Sequence, residues 1–201
     1  MIYCNDRPFP VIVVDDCFPR PAIEAAADSF DAVAEWVRYD SVLEAKRTTR
    51  RLTPECAALM TAMQVMCPAD LATDATLHGG GMHEIQPGGW LSTHLDCDRH
   101  PVSGYRRAWN AILYLTTCEG GELELREVPT AEPTRIDAVA GRLVLFETSD
   151  TSWHGVATVN GTIARRSLAC YWWDRSIGPT TRPRALFAGD DATLIRQRAG
   201  L

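Results

Sequence analysis

The sequence predicts an α+β, mainly β fold: a β-sandwich or jelly roll with helices packed outside it. Three observations carry that prediction. From about residue 75 the chain becomes a series of short β-type runs separated by glycine and polar turns. Ahead of those runs stand two stretches of helical composition, and strands that follow helices without regular alternation mark packed α and β segments rather than a parallel sheet. Finally, 201 residues with 46% hydrophobic and 23% charged side chains suffice for one domain with a substantial core. The chain, 1–201, is therefore read as a single domain, with helical support over about 20–70 and a jelly-roll core over about 75–175.

Each element has its own signal. "PFPVIVVDDCF" (8–18) reads as an opening strand. "PAIEAAADSFDAVAEWV" (21–37) reads as a helix, with Pro21 in its first turn and an alanine-rich body. A second helix begins at "TPECAALMTAMQVM" (53–66), where Thr53 is placed to cap and Pro54 to occupy the first helical position. Its Leu59, Met60, Met63 and Met66 recur at helical spacing, as core packing does. The strands are then "MHEIQ" (82–86), "WLSTHLD" (90–96), "WNAILYLTT" (109–117), "GELELREV" (121–128), "RLVLFET" (142–148), "GVATV" (155–159) and "RRSLACYWW" (165–173). The tail after Trp173, rich in proline, glycine and charge, is assigned no structure.

Composition limits the partners and the setting. A net charge of −6 argues against a broad electrostatic grip on nucleic acid. The one basic patch, "KRTTRR" (46–51), is read as a solvated loop or helix face. "VIVV" is interrupted at Asp15 and Asp16, and no basic leader precedes it, so neither a signal peptide nor a membrane span is expected. Seven cysteines, an odd number without a CxxC pair, suggest neither a zinc knuckle nor a disulfide framework, and the expected setting is a reducing, cytoplasmic one.

The chemistry starts at "WLSTHLDCDRH" (90–100). His94 and Asp96 stand two apart in a strand-like run, so their side chains point the same way. Such a pair is either half of a metal site or an ordinary surface pair. His154, in "FETSDTSWHGVATV" (146–159), could supply a third ligand from a neighbouring strand. Two imidazoles and a carboxylate on one side of a metal leave open positions opposite, the arrangement of non-haem Fe(II) oxygenases. Downstream, Arg165, Ser167, Ala169 and Tyr171 share one strand face, and Arg166, Leu168, Cys170 and Trp172 the other. Arg165 inside a barrel would need an anionic partner, which a small dicarboxylate would provide; Arg165 outside it would pair with an ordinary acidic residue. Tyr114 is either a core aromatic or a ligand-facing one. Arg107 lines a pocket mouth or braces a loop, and Trp90, Trp109, Trp153, Trp172 and Trp173 are read as core or rim packing.

Taken together, "PFPVIVVDDCF", "LHGGGMHEIQPGGWLSTHLDCDRH", "RRAWNAILYLTTCEGGELEL", "GRLVLFETSDTSWHGV" and "RRSLACYWW" resemble the Fe(II)- and 2-oxoglutarate-dependent dioxygenases, in particular the small prolyl 4-hydroxylase-like group. The resemblance implies a double-stranded β-helix, cupin-like in form, that holds iron through His94, Asp96 and His154. It implies a basic residue, matched by Arg165 with Ser167 beside it, for the far carboxylate of 2-oxoglutarate, and Tyr114 and Asn110 on the strand after the HxD pair as further co-substrate contacts. Where the group often has a tyrosine before the HxD pair this chain has Ile85, which leaves His83 or Gln86 as substitutes. Implied cofactors are Fe(II), 2-oxoglutarate and O2, with stimulation by ascorbate. A carboxylate at position 96, where related halogenases carry a small residue, implies hydroxylation with succinate and CO2 as co-products. The expected substrate is a small molecule, an amino acid or a short peptide. The competing readings are a cupin-like zinc enzyme and a non-catalytic barrel that senses 2-oxoglutarate or metal; sequence leaves the oligomeric state open.

Overall fold

A computed structural model describes residues 2–189, and within them two antiparallel sheets are laid against each other. The chain opens with a hairpin, β1 (Ile2–Asn5) and β2 (Val11–Val14), then forms helix α1 (Arg20–Ser29) and a 3-10 turn (Phe30–Ala32). It returns as β3 (Val37–Asp40) and β4 (Ala45–Thr49), followed by helix α2 (Pro54–Val65) and the short β5 (Leu71–Ala72). The next strands are β6 (Gly81–Ile85), β7 (Leu91–Leu95), β8 (Tyr105–Tyr114) and β9 (Leu123–Arg126). They are followed by β10 (Thr134–Ile136), β11 (Leu143–Glu147), β12 (Trp153–Val156), β13 (Arg165–Ile177) and β14 (Leu186–Phe187). The nine-stranded sheet runs β1-β2-β11-β8-β13-β6-β4-β3, with β5 on the far end of β13; the five-stranded sheet runs β10-β9-β12-β7-β14. This is the jelly-roll architecture expected of the sequence. No described helix is long and apolar enough to cross a membrane.

Strict alternation along the central strands sorts the larger sheet into two faces. Leu113, Leu143, Leu145, Leu168, Cys170 and Trp172 point outward into a cluster with Ile23, Ala26, Phe30, Leu59, Met60 and Met63 of the helical layer. Ile112, Tyr114, Val144, Phe146 and Ala169 point inward and meet Leu123, Leu125 and Ile136 of the smaller sheet. The methionine stripe of α2 is thus core, as expected, although Met66 at its end is exposed. Thr53 caps α2 by accepting from the Cys56 amide at 3.2 Å. Gly80 and Gly81 let β6 press between its neighbours: a Cβ on Gly80 would collide with the Ala169 carbonyl, and Gly81 holds φ at +112°.

Several sequence expectations need correction. The helix expected over 21–37 stops at Ser29, and by Val37 the chain is a strand. Ser29 turns its hydroxyl back to the Ala26 carbonyl at 2.7 Å, and Trp36 folds over Phe30 with ring centroids 5.7 Å apart, which ends the turn against the sheet. "KRTTRR" is a solvated loop only at Arg50 and Arg51, because its first four residues lie in β4, paired on both sides by β3 and β6. Its polarity hid it: Lys46 and Thr48 line the cavity between the sheets, while Arg47 turns outward to a buried carboxylate. The tail after Trp173 continues β13 to Ile177 and later adds β14 to β7. Residues 190–201, the rest of that tail, lie outside the described residues.

The outward carboxylate is Glu84, whose side chain is 0% exposed. It accepts from Arg47 Nε at 2.6 Å and from Arg166 Nε at 2.9 Å, and Arg166 also reaches Asp31 and the Ala27 carbonyl. The network ties β4, β6 and β13 to the end of α1. Removing one member of a buried charge cluster leaves the others uncompensated, at a cost of about 3–5 kcal/mol. Glu84→Ala is expected to lower unfolding free energy by that amount in urea titration; a loss under 1 kcal/mol would show that the network carries no stability.

Candidate active site

The two sheets leave between them a cavity of about 540 Å³. The smaller sheet brings His94 on β7 directly opposite His154 on β12, with ring centroids 4.3 Å apart. Asp96 lies one residue beyond the end of β7, on the same side as His94. One ligand atom from each of the three lies within 4.8 Å of the others. Both rings are fixed in the same way: Nδ1 of His94 sits 2.9 Å from the Ser92 carbonyl, and Nδ1 of His154 2.9 Å from the Ser152 carbonyl. Each Nδ1 therefore donates, and each Nε2 lone pair turns to the centre. Phe187 covers His94 at 5.3 Å.

Electrostatics prepares two of these groups, Asp96 and His154, for a cation. Burial alone would raise the Asp96 carboxyl, but the Arg107 guanidinium, His154 and His94 outweigh it and hold the group well below the usual carboxylate range. Burial, then the neighbouring His94, pushes His154 down to about 4, so its imidazole is neutral. Asp96 Oδ2 is buried without a hydrogen-bond partner. Arg107 Nη1 lies 3.2 Å from it, close enough for charge attraction but out of line for a hydrogen bond, which leaves the oxygen's lone pairs free. Two imidazoles with Nε2 turned to the centre and an ionised carboxylate with an unmet lone pair fit a divalent metal.

Arg107 thus braces a site residue, a role its position in the sequence did not settle. It is 3% exposed, stacks on Tyr171 at 3.5 Å and on Trp173 at 5.0 Å, and donates to Cys97 Sγ at 2.9 Å. Trp173 comes to that side because the register of β13 shifts between Trp172 and Trp173. Arg182 adds a second brace from the tail through a bond to the Asp96 carbonyl and an ion pair with Asp150 at 2.8 Å. Nothing in the sequence announced Arg182 or Phe187.

The larger sheet supplies the cavity's other charged end. Arg165, 3% exposed, donates to the Gly121 carbonyl at 3.0 Å, to Ser167 Oγ at 3.3 Å and to the Tyr114 hydroxyl at 3.2 Å. All three acceptors are neutral; among the described residues no carboxylate lies within 4.0 Å of this guanidinium. Arg165, Ser167, Ala169 and Tyr171 line the cavity, and Arg166 faces away, as the alternation required. Asn110 lines it too, with Oδ1 lacking a partner. Tyr114 is fully buried and reaches the cavity through Arg165 rather than lining it. Of the substitutes for a tyrosine at Ile85, Gln86 is exposed and turned to Glu84, whereas His83 stands on the cavity wall across from Ser167. Burial, with Lys46 and Arg165 nearby, pushes His83 down to about 3. His78 lines the cavity edge-on to His100, which is held by Asp74 at 3.2 Å.

His94→Ala, Asp96→Ala and His154→Ala are each expected to lose at least tenfold in affinity for Mn(II) or Fe(II), with the circular dichroism of the wild type. Anaerobic metal titration reads this directly. A variant that binds as tightly as wild type removes that residue from the metal set.

Comparison with known proteins agrees with this geometry. Residues 80–173 match the family model described as the 2OG-Fe(II) oxygenase superfamily. That stretch holds the His94, Asp96 and His154 cluster together with Arg165, Ser167, Tyr114 and Asn110. No relative was found by sequence among curated proteins. Among solved structures, a Pseudomonas putida prolyl-4-hydroxylase is similar with a TM-score of 0.60 at 20% identity, over 83% of this chain and 93% of that one. A viral collagen prolyl hydroxylase from Paramecium bursaria Chlorella virus-1, solved with 2-oxoglutarate, gives 0.58 at 11% identity over 81% and 95%. A Trichoplax adhaerens prolyl hydroxylase in complex with a hypoxia inducible factor peptide fragment gives 0.57 at 13% over 82% and 83%. At these identities the likeness is one of fold. Residues 80–173 form a domain of the 2-oxoglutarate- and Fe(II)-dependent oxygenase superfamily, in a prolyl 4-hydroxylase-like fold.

Proposed function

We propose that this oxygenase hydroxylates an aliphatic C–H bond of a small molecule, an amino acid or a short peptide, with His94, Asp96 and His154 as iron ligands and Arg165 as the anchor of 2-oxoglutarate. The observation that carries the reading is Arg165: a buried guanidinium with neutral acceptors, in the same cavity as a His-Asp-His cluster. A dicarboxylate with one end at each site neutralises it. When bound, Fe(II), 2-oxoglutarate and O2 supply the oxidation, in which succinate and CO2 leave and one oxygen atom enters the substrate C–H bond.

The chain's own part is to hold and to dry. Arg165 takes the distal carboxylate, Ser167 Oγ donates beside it, and Tyr114 keeps the guanidinium in place from behind. Asn110 would offer its amide to the co-substrate from the neighbouring strand. Ile85, Ile112, Leu123 and Val156 line the walls and exclude water, which strengthens each polar contact between them. Arg107 keeps Asp96 ionised and oriented. The peptide bound by the Trichoplax protein is that protein's partner, and it supports including peptides in the substrate class here. Unpaired thiols at all seven cysteines support the cytoplasmic setting included in this proposal.

With Fe(II), O2 and ascorbate, the protein is expected to convert 2-oxoglutarate to succinate, and Zn(II) to inhibit by occupying the site without redox chemistry. Zinc-supported turnover would favour the cupin-like enzyme, and binding of 2-oxoglutarate without succinate would favour the sensor. Removing one partner of a buried charge pair costs about 2–5 kcal/mol of binding, and tenfold is about 1.4 kcal/mol. Arg165→Ala should therefore raise the KM for 2-oxoglutarate at least tenfold, and Ser167→Ala by a smaller factor. Arg166→Ala, on the outer face with Glu84 and Asp31, should lower stability and leave that KM near wild type. A KM defect confined to Arg166→Ala would contradict the assignment.

A further inference from the structure

The cavity wall carries more positive charge than the proposed chemistry uses. Lys46, Arg50, Arg107, Arg165 and Arg184 line it, against the carboxylates of Glu44 and Asp96, in a chain whose net charge is −6. Three of these cations have an assigned counterpart. Lys46 pairs with Glu44 at 2.9 Å, Arg107 lies 3.2 Å from Asp96, and Arg165 awaits the co-substrate. Arg50 and Arg184 are left over. Arg50 makes one long hydrogen bond, 3.4 Å to the Thr76 carbonyl, and among the described residues neither has a carboxylate within 4.0 Å.

Their placement gives the excess a direction. Arg50 follows β4 of the larger sheet and continues the cavity-lining series Lys46, Thr48, Arg50. Arg184 precedes β14, which pairs with β7 of the smaller sheet beside His94. One cavity is therefore lined from each sheet by an arginine without a carboxylate partner among the described residues, and both are exposed enough to meet a molecule coming from solvent. The imidazole of His78, another lining residue, feels the same charges: burial lowers its pKa, and Arg107, His100 and Arg50 lower it further against the opposing Asp74 carboxylate. A cleft of one sign, walled by low-dielectric protein, concentrates ligands of the opposite sign.

We propose that the primary substrate is a small carboxylic acid whose carboxylate docks between Arg50 and Arg184, with its aliphatic part directed inward to His94, Asp96 and His154. Guanidinium groups recognise a carboxylate through paired N–H donors, so two of them fix both position and orientation. The volume of about 540 Å³, shared with the co-substrate, suits a small molecule enclosed by both sheets. This inference rests on the oxygenase reading and narrows its substrate class.

The test uses the full chain loaded with Mn(II) and 2-oxoglutarate and measures binding by calorimetry. Probes are acid and amide pairs, namely proline, N-acetylproline, leucine and hexanoic acid with their amides, together with the neutral blocked peptide acetyl-Ala-Pro-Gly-amide. At least one acid should bind tenfold or more tightly than its amide, and Arg50→Gln/Arg184→Gln should abolish that preference while Arg50→Lys/Arg184→Lys keeps most of it. The proposal is overturned if no acid is preferred tenfold, if the blocked peptide binds more tightly than every acid, or if the glutamine variant retains the preference. Succinate formation by the Fe(II) enzyme, scored in parallel, separates the two levels. Its absence sinks the oxygenase reading, whereas succinate formed by an enzyme indifferent to acid or amide sinks this inference alone.

Discussion

The Arg165 guanidinium, buried between two sheets and met by neutral oxygens, is the contact on which the rest of the site depends. A charge taken from water into a protein interior is tolerated when its donors are satisfied and a counter-charge is at hand. Here Gly121, Ser167 and Tyr114 meet the donors, and in the proposed function the counter-charge is the co-substrate's distal carboxylate. That division explains why Tyr114 is spent on Arg165 rather than on the cavity. The tyrosine keeps a long, flexible cation aimed at one spot, so the entropy of holding it is already met when the co-substrate arrives.

The opposite end of the cavity solves the same problem with the sign reversed. Asp96 is a half-buried carboxylate whose Oδ2 is shut off from solvent, and Arg107 balances its charge without taking that oxygen's lone pairs. Arg107 in turn is held by the faces of Tyr171 and Trp173 rather than by a second acid. The smaller sheet sets the two histidines opposite each other, and backbone carbonyls fix their tautomers. Cation and anion thus sit on facing sheets, and in the proposed function a dicarboxylate with a metal would bridge them. Outside the cavity, Glu84 with Arg47 and Arg166 holds β4, β6 and β13 in register, so the inward residues of those strands stay inward.

Much of this was legible in the sequence, where alternation left little choice. Placing Arg165 inward forces Ser167, Ala169 and Tyr171 inward and Arg166 outward, and the structure follows that parity until the bulge at Trp172. The HxD spacing likewise put His94 and Asp96 on one side, and the structure brings His154 to them. What failed to show was structure built from polar faces. Strand β4 has a polar cavity on one side and an ion-pair network on the other, so hydrophobic periodicity could not find it. The end of α1 is set by a hydroxyl turned back on the helix and by a tryptophan folded over Phe30, both tertiary events. Arg107 stayed undecided between a pocket mouth and a loop brace because its partner comes from the end of another strand, and β14 is two residues of a tail without periodic pattern.

The central claim is that one dicarboxylate spans the cavity from the metal to Arg165. Its most direct test is anaerobic calorimetry on the Fe(II)-loaded wild-type protein with 2-oxoglutarate and with 2-oxopentanoate, which has a methyl group in place of the distal carboxylate and keeps the metal-facing end. The account predicts that 2-oxoglutarate binds at least tenfold more tightly, because only it gives Arg165 a counter-charge. Equal affinity for the two acids would contradict the account and would leave the buried guanidinium without a function.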